Sequence, residues 1–130
     1  MRNYPVSPDL STPRGYSHVV AASGQMVFVA GQISLDKQGA IVGAGDLRAQ
    51  TRQVLENVKA ALAAAGATFA DVVKLNTYVV GLNADALAAI REVRSQYFPA
   101  ENPPASTLVG VTALAMDGLL IEIEAVAVLD

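Results

Sequence analysis

Between Asp46 and Val80 the spacing of apolar residues changes from the period of a helix to that of a strand. No other feature constrains the fold as much. Leu47, Thr51, Val54, Leu55, Val58, Leu62 and Ala65 recur at helical spacing, with Arg48, Arg52, Glu56 and Lys59 elsewhere on the wheel. Asp46 is placed to cap the start of this helix and Gly66 to end it. The stretch "DVVKLNTYVV" (71–80) then alternates. Val73, Leu75, Thr77 and Val79 fall on one side and Lys74, Asn76 and Tyr78 on the other, the pattern of a half-buried strand. A helix with one apolar stripe must bury it, and a sheet beside it is the surface on offer.

The flanking segments extend this layering. Residues 1–16 hold three prolines and two serines among few apolar residues, which predicts an arm or loop. "SHVVAA" (17–22) and "QMVFVAG" (25–31), joined by Ser23-Gly24, predict two strands in a tight hairpin. "QISLDKQGAIVGAG" has no sustained period and predicts a loop. Asn83 is a cap for a second helix over 84–97, with Leu87, Ile90, Val93 and Tyr97 as its stripe and Pro99 as its stop. Strands over 106–112 and 119–128 complete the order β-β-α-β-α-β-β. The prediction is one α+β domain over residues 1–130, with two helices on one face of a mixed sheet.

The second sheet face needs cover as well. Hydrophobic residues make up 52% of the chain against 16% charged, a surplus for a domain of this size. The expectation is an obligate oligomer of identical chains. A net charge of −3 argues against a nucleic-acid surface, which needs clustered Lys and Arg. The absence of cysteine excludes disulfides, thiolate metal sites and a cysteine nucleophile. A single histidine, His18, leaves no His-rich metal cluster. "MRNYPVSPDL" lacks the apolar core of a signal peptide, and no apolar run is long enough to span a bilayer, so the expected compartment is the cytoplasm.

Glu122 and Glu124 are the sharpest anomaly. They lie two apart among Leu, Ile, Ala and Val, so both point to one face of their strand. The ordinary structural account is that both reach solvent or pair across a strand. The functional one is that a carboxylate desolvated in an interface cleft gains the raised pKa of a general acid or base. Tyr16, in "RGYSHVV", either covers a sheet edge or closes over a ligand with its hydroxyl. His18 reads as a strand residue with a satisfied ring, because no acid is near it in sequence. Gly31, at a strand end, is either a turn device or a place where a ligand meets bare backbone. The glycines at 39, 43 and 45 match neither a phosphate loop nor a dinucleotide fingerprint. "NPPASTLVGV" (102–111) reaches a strand through two prolines and opens on two hydroxyls, Ser106 and Thr107.

"GYSHVV", "VFVAGQISLD", "TRQVLENVKAALAAAGATFADVVKLNTYVV", "NPPAST" and "IEIEAVAV" run in order over residues 15–128. Together they resemble the Rid (YjgF/YER057c/UK114) family of enamine and imine deaminases. The resemblance implies a fold like that of chorismate mutase from bacilli, three chains forming a central barrel, and ligand clefts at the subunit interfaces. It implies hydrolysis of a 2-imino acid to a 2-keto acid and ammonia, with no cofactor. Tyr16, Gly31 and Glu124 match the family's cleft, Glu124 as the catalytic carboxylate. The family's deaminases carry an arginine directly after the Pro-Ala, where its guanidinium clamps the substrate carboxylate. Here Pro104-Ala105 is followed by Ser106 and Thr107, and Ala30 stands where serine is common.

Losing a charge-assisted clamp lowers affinity for a simple 2-imino acid by about 1.5–3 kcal/mol. Ser106 and Thr107 are therefore expected to line the cleft as a neutral substitute, with altered substrate range. The alternative is a non-catalytic trimer that binds a metabolite or a protein in the same clefts. A nuclease reading fits the acidic chain least. Arg91 and Arg94, on the second helix, are the other cations in reach of restoring a clamp; both are expected to be solvated.

Overall fold

A computed structural model describes residues 1–130. Its main sheet is assembled from β3 (Gln25–Gln32), β4 (Val72–Val80), β5 (Ala105–Val111) and β6 (Ile121–Leu129), in the spatial order β3-β6-β4-β5. The last strand of the chain is thus inserted near the centre. β6 runs antiparallel to both β3 and β4, and β4 and β5 are parallel, joined through helix α2 (Ala84–Arg94). Helix α1 (Leu47–Ala64) connects β3 to β4. Both helices lie on one face, as the sequence predicts.

α1 forms where its periodicity places it. The Asp46 carboxylate accepts from the Ala49 amide at 3.1 Å, and Val54, Leu55, Val58 and Leu62 are fully buried along one stripe. Under that stripe lie Leu75, Thr77 and Val79 of β4 and Ile121, Ile123, Ala125 and Ala127 of β6, alternate residues of each strand. Val72 joins them in place of the expected Val73, because β4 is irregular between Val72 and Lys74. Asn83 caps α2 through the Ala86 amide. α2 ends at Arg94, earlier than the expected 97. The chain then tightens into i→i+3 bonds from Gln96 to Val93 and from Tyr97 to Arg94, ahead of Pro99.

The first predicted strand is corrected. Only Ala21–Ala22 (β2) is extended, and it pairs with Arg2–Asn3 (β1), inside the segment expected to be an arm. It does not pair with β3, so there is no Ser23-Gly24 hairpin. Ser17 is instead pinned to the start of β5, its amide donating to Pro104 O at 3.0 Å and its hydroxyl to Pro103 O at 2.6 Å. β5 and β3 are opposite edges of the sheet, so residues 18–24 must cross its end. Gly24 makes this crossing against β6: a Cβ there would lie 2.0 Å from Leu129 O. Arg2 holds β1 in place through Val128 O at 2.8 Å and Asp71 at 3.2 Å.

One buried polar residue ties the loops to this framework. Gln50 is inaccessible to solvent, donates to Gly43 O and Gly118 O, and accepts from the Leu120 amide. Gln50→Leu keeps the volume but strands three backbone groups. Urea unfolding is expected to show a loss of about 1–3 kcal/mol, and an unchanged midpoint would mean those groups find other partners.

Candidate functional site

The helix-free face of the sheet carries the carboxylates. Register sets Asn76 opposite Glu124 and Tyr78 opposite Glu122, all four pointing away from the helices. Glu124 Oε1 accepts from Asn76 Nδ2 at 3.2 Å and from the Tyr78 hydroxyl, which reaches it diagonally across the strand pair. Two donors on one oxygen fix the carboxylate's orientation, and Oε2 has no protein donor. The hydrogen bond to Glu124 holds the Tyr78 phenol above the usual tyrosine range, assisted by burial and by the charges of Glu124 and Glu122.

Gly31 belongs to this group by contact. β3 is irregular between Val29 and Gln32, and the Glu122 side chain lies across that irregularity. A Cβ on Gly31 would sit 2.0 Å from Glu122 Oε2. The glycine is thus the bed for a carboxylate. Thr107 is also on this face, where its hydroxyl accepts from Lys74 Nζ at 2.8 Å. A hollow of about 350 Å³ opens beside Glu124, bounded by Phe28, Ala30, Lys74, Asn76 and Val126.

Ser106 is on the other side of the sheet. Neighbours in a strand face opposite ways, so Ser106 and Thr107 do not line one cleft. Ser106 Oγ accepts from Arg94 Nη1 at 3.2 Å, and Arg94 Nη2 donates to Gly15 O at 3.0 Å. Arg94 is therefore not the solvated residue expected from the sequence. Burial, then the charge of Arg91, lowers its pKa from the ordinary arginine value. Tyr16 joins the same hollow, of about 270 Å³, with Arg14 and Arg91 at its rim. Arg91 itself is exposed. His18 stands edge-to-face to Tyr16 at 5.2 Å, with Nε2 bonded to Ser11 O, so its ring is engaged structurally.

The expected site residues thus form two half-sites. Glu124, Glu122, Gly31 and Thr107 share the helix-free face, while Tyr16 and Ser106 lie with Arg94 at the β5 edge. β4 separates β6 from β5, so two strand spacings, about 10 Å, and the thickness of the sheet separate Glu124 from Ser106. Sequence reading missed Asn76 and Tyr78 as partners of Glu124, although both stood on the polar side of the alternating strand. Arg94, a candidate clamp expected to be solvated, is instead partly buried; the signal was its place four residues after Ile90 and three before Tyr97, beside the buried stripe.

Two helices packed on one face of a mixed sheet, with a fixed carboxylate on the other, define a protein of the α+β, chorismate-mutase-like class. The family model described as endoribonuclease L-PSP matches residues 8–129. A RutC family protein of Pyrococcus horikoshii is 45% identical over 86% of this chain and 85% of its own. The 2-iminobutanoate/2-iminopropanoate deaminase of Salmonella typhimurium is 44% identical over 81% of this chain and 80% of its own. A Rid-family protein of unknown function from Yersinia pestis superposes with a TM-score of 0.90 at 45% identity, covering 98% of both chains. The chain belongs to the Rid family. No helix is long and apolar enough to cross a membrane.

The Tyr78–Glu124 bond has a spectroscopic consequence. Ultraviolet titration of wild type against Tyr78→Phe is expected to show Tyr78 ionising above the ordinary tyrosine value, and Glu124→Gln to bring it down. The sign follows because a carboxylate acceptor favours the protonated phenol. Equal Tyr78 titration in wild type and Glu124→Gln would show that the bond does not form in solution.

Proposed function

We propose that this protein hydrolyses an enamine or imine to a carbonyl compound and ammonia, without a cofactor, in clefts between the chains of a homotrimer. The observation that carries this reading is Glu124, held by Asn76 and Tyr78 with Oε2 free to take a proton from water. The water oxygen bonds to the imine carbon as the C=N π bond breaks, and Glu124 accepts the proton released. That proton passes to nitrogen to give a carbinolamine, whose hydroxyl proton then follows through Glu124 to the nitrogen as the C–N bond breaks, leaving a C=O group and ammonia. An enamine enters the same route after tautomerising to the imine.

The carboxylate of a 2-imino acid is assigned to Arg94. Its guanidinium is steadied by Ser106 and Gly15 O, and its remaining N–H groups are free to donate. The clamp role that the family resemblance implies for an arginine after Pro-Ala is assigned here to a helix residue that reaches the same strand start. Tyr16 adds a phenolic donor, Gly31 makes room for the Glu122 carboxylate, and Thr107 contributes a hydroxyl on the carboxylate face. Support for the reaction class comes from the relative whose name is that of an iminobutanoate and iminopropanoate deaminase.

The separation of the half-sites favours a site shared between chains. Phe28 and Met26 on the carboxylate face are 72% and 58% exposed, an apolar surface suited to a neighbouring chain. Three chains joined around their sheets, as the family resemblance implies, would set the Glu124 face of one chain against the Arg94 edge of the next. The ligand is a small molecule; the chain's net charge of −3 disfavours nucleic acid. The cytoplasm is the proposed location, where pyridoxal-phosphate enzymes release such imines.

Glu124→Gln is expected to slow ammonia release from freshly generated 2-iminobutanoate by about 10²–10⁴-fold with assembly intact. Equal turnover would make Glu124 structural, and no ammonia release by wild type above buffer would favour a binding module. Sedimentation equilibrium is expected to give three times the chain mass of 13.5 kDa; a stable monomer at micromolar concentration would overturn the shared site.

A further inference from the structure

Three arginines, Arg14, Arg91 and Arg94, border the hollow at the β5 edge and the adjoining one of about 330 Å³. No carboxylate lines either hollow, and none of the three arginines takes part in an ion pair. Arg94 is held only by neutral oxygens, of Ser106 and Gly15. Arg91 and Arg94 are three residues apart on α2, so their side chains leave the helix as neighbours. Like charges at that spacing repel, which is the second reason the Arg94 pKa is lowered. In a chain of net charge −3 with nine basic residues, three unneutralised guanidinia around one concavity are a local reversal of sign.

A single carboxylate engages Arg94 and leaves two positive charges facing the hollow; a second anionic group balances them. Leu82, Leu87 and Leu108 form the rest of the wall, suited to a short carbon chain between the two anionic ends. We propose that the preferred ligand is a 2-imino acid with a second carboxylate on its side chain. Its 2-imino carboxylate lies on Arg94 and its distal carboxylate between Arg91 and Arg14. The identity of the reacting end rests on the deaminase reading above; the second charge rests on the arginines alone.

Binding separates the two. Calorimetry at fixed ionic strength compares 2-oxoglutarate and 2-oxobutyrate, stable keto-acid counterparts of a dianionic and a monoanionic imine, with inorganic phosphate as a third titrant. 2-Oxoglutarate is expected to bind about tenfold or more tighter than 2-oxobutyrate, the scale of one charge-assisted pair. Arg91→Gln, and to a lesser degree Arg14→Gln, is expected to narrow that ratio. Both side chains are exposed, and an unchanged urea midpoint confirms that the variants are folded. Equal affinity for the two keto acids, a ratio that survives the double variant, or no binding of either overturns the proposal. Phosphate binding as tightly as 2-oxoglutarate overturns it too, because the site is then a general anion sink. Each of these results leaves the ammonia-release assay free to report on the deaminase reading.

Discussion

The strict alternation of β6 is the constraint on which the rest of the structure depends. Ile121, Ile123, Ala125 and Ala127 must face the helices, because α1 has nowhere else to bury Val54, Leu55, Val58 and Leu62. A period of two then sends Glu122 and Glu124 to the opposite face, mid-sheet, flanked by β3 and β4. A register slip of one residue would drive both carboxylates into the core. The position of the carboxylates is thus enforced by the same burial that stabilises the domain, which makes Glu124 a rigid element of the candidate site and not a loop residue.

The neighbours of β6 complete what the alternation begins. β4 supplies Asn76 and Tyr78, whose bonds select one oxygen of Glu124, and β3 supplies a glycine where any side chain would strike Glu122. The two carboxylates therefore differ in environment although they are two residues apart. Glu124 is oriented by side-chain donors, whereas Glu122 lies across backbone. Different surroundings are what allow two like groups to take different roles.

At the far edge, an arginine of the helix reaches the start of a strand. Ser106 supports the guanidinium of Arg94 instead of replacing it, and Gly15 supplies the second acceptor. A guanidinium offers five N–H donors in a fixed fork, so two bonds to the protein steady it while others stay available. This cation comes from α2, and it stands beside Arg91. That neighbour links the proposed clamp to a wider positive surface in an otherwise acidic chain.

Much of this was legible in the residues themselves. Helical periodicity over 47–62, alternation over 74–80 and 121–127, and caps at Asp46 and Asn83 are local signals, set by the geometry of one element at a time. The irregularity that puts Val72 and not Val73 in the core was not among them. The family motifs pointed to Tyr16, Gly31 and Glu124 as site residues, and the structure places Gly31 and Glu124 on one face and Tyr16 at the β5 edge. What the sequence by itself determined, then, was the class of fold and the face of each strand on which a side chain falls. Which residues meet was decided only by the tertiary structure. The pairing of β2 with β1 instead of β3 depends on how residues 18–24 cross the end of the sheet. The Tyr78–Glu124 bond needs the register of two strands more than 40 residues apart. The contact of Arg94 with Ser106 needs the docking of α2 on β5. Contacts of this kind belong to pairs of elements, and no single segment encodes its partner's position.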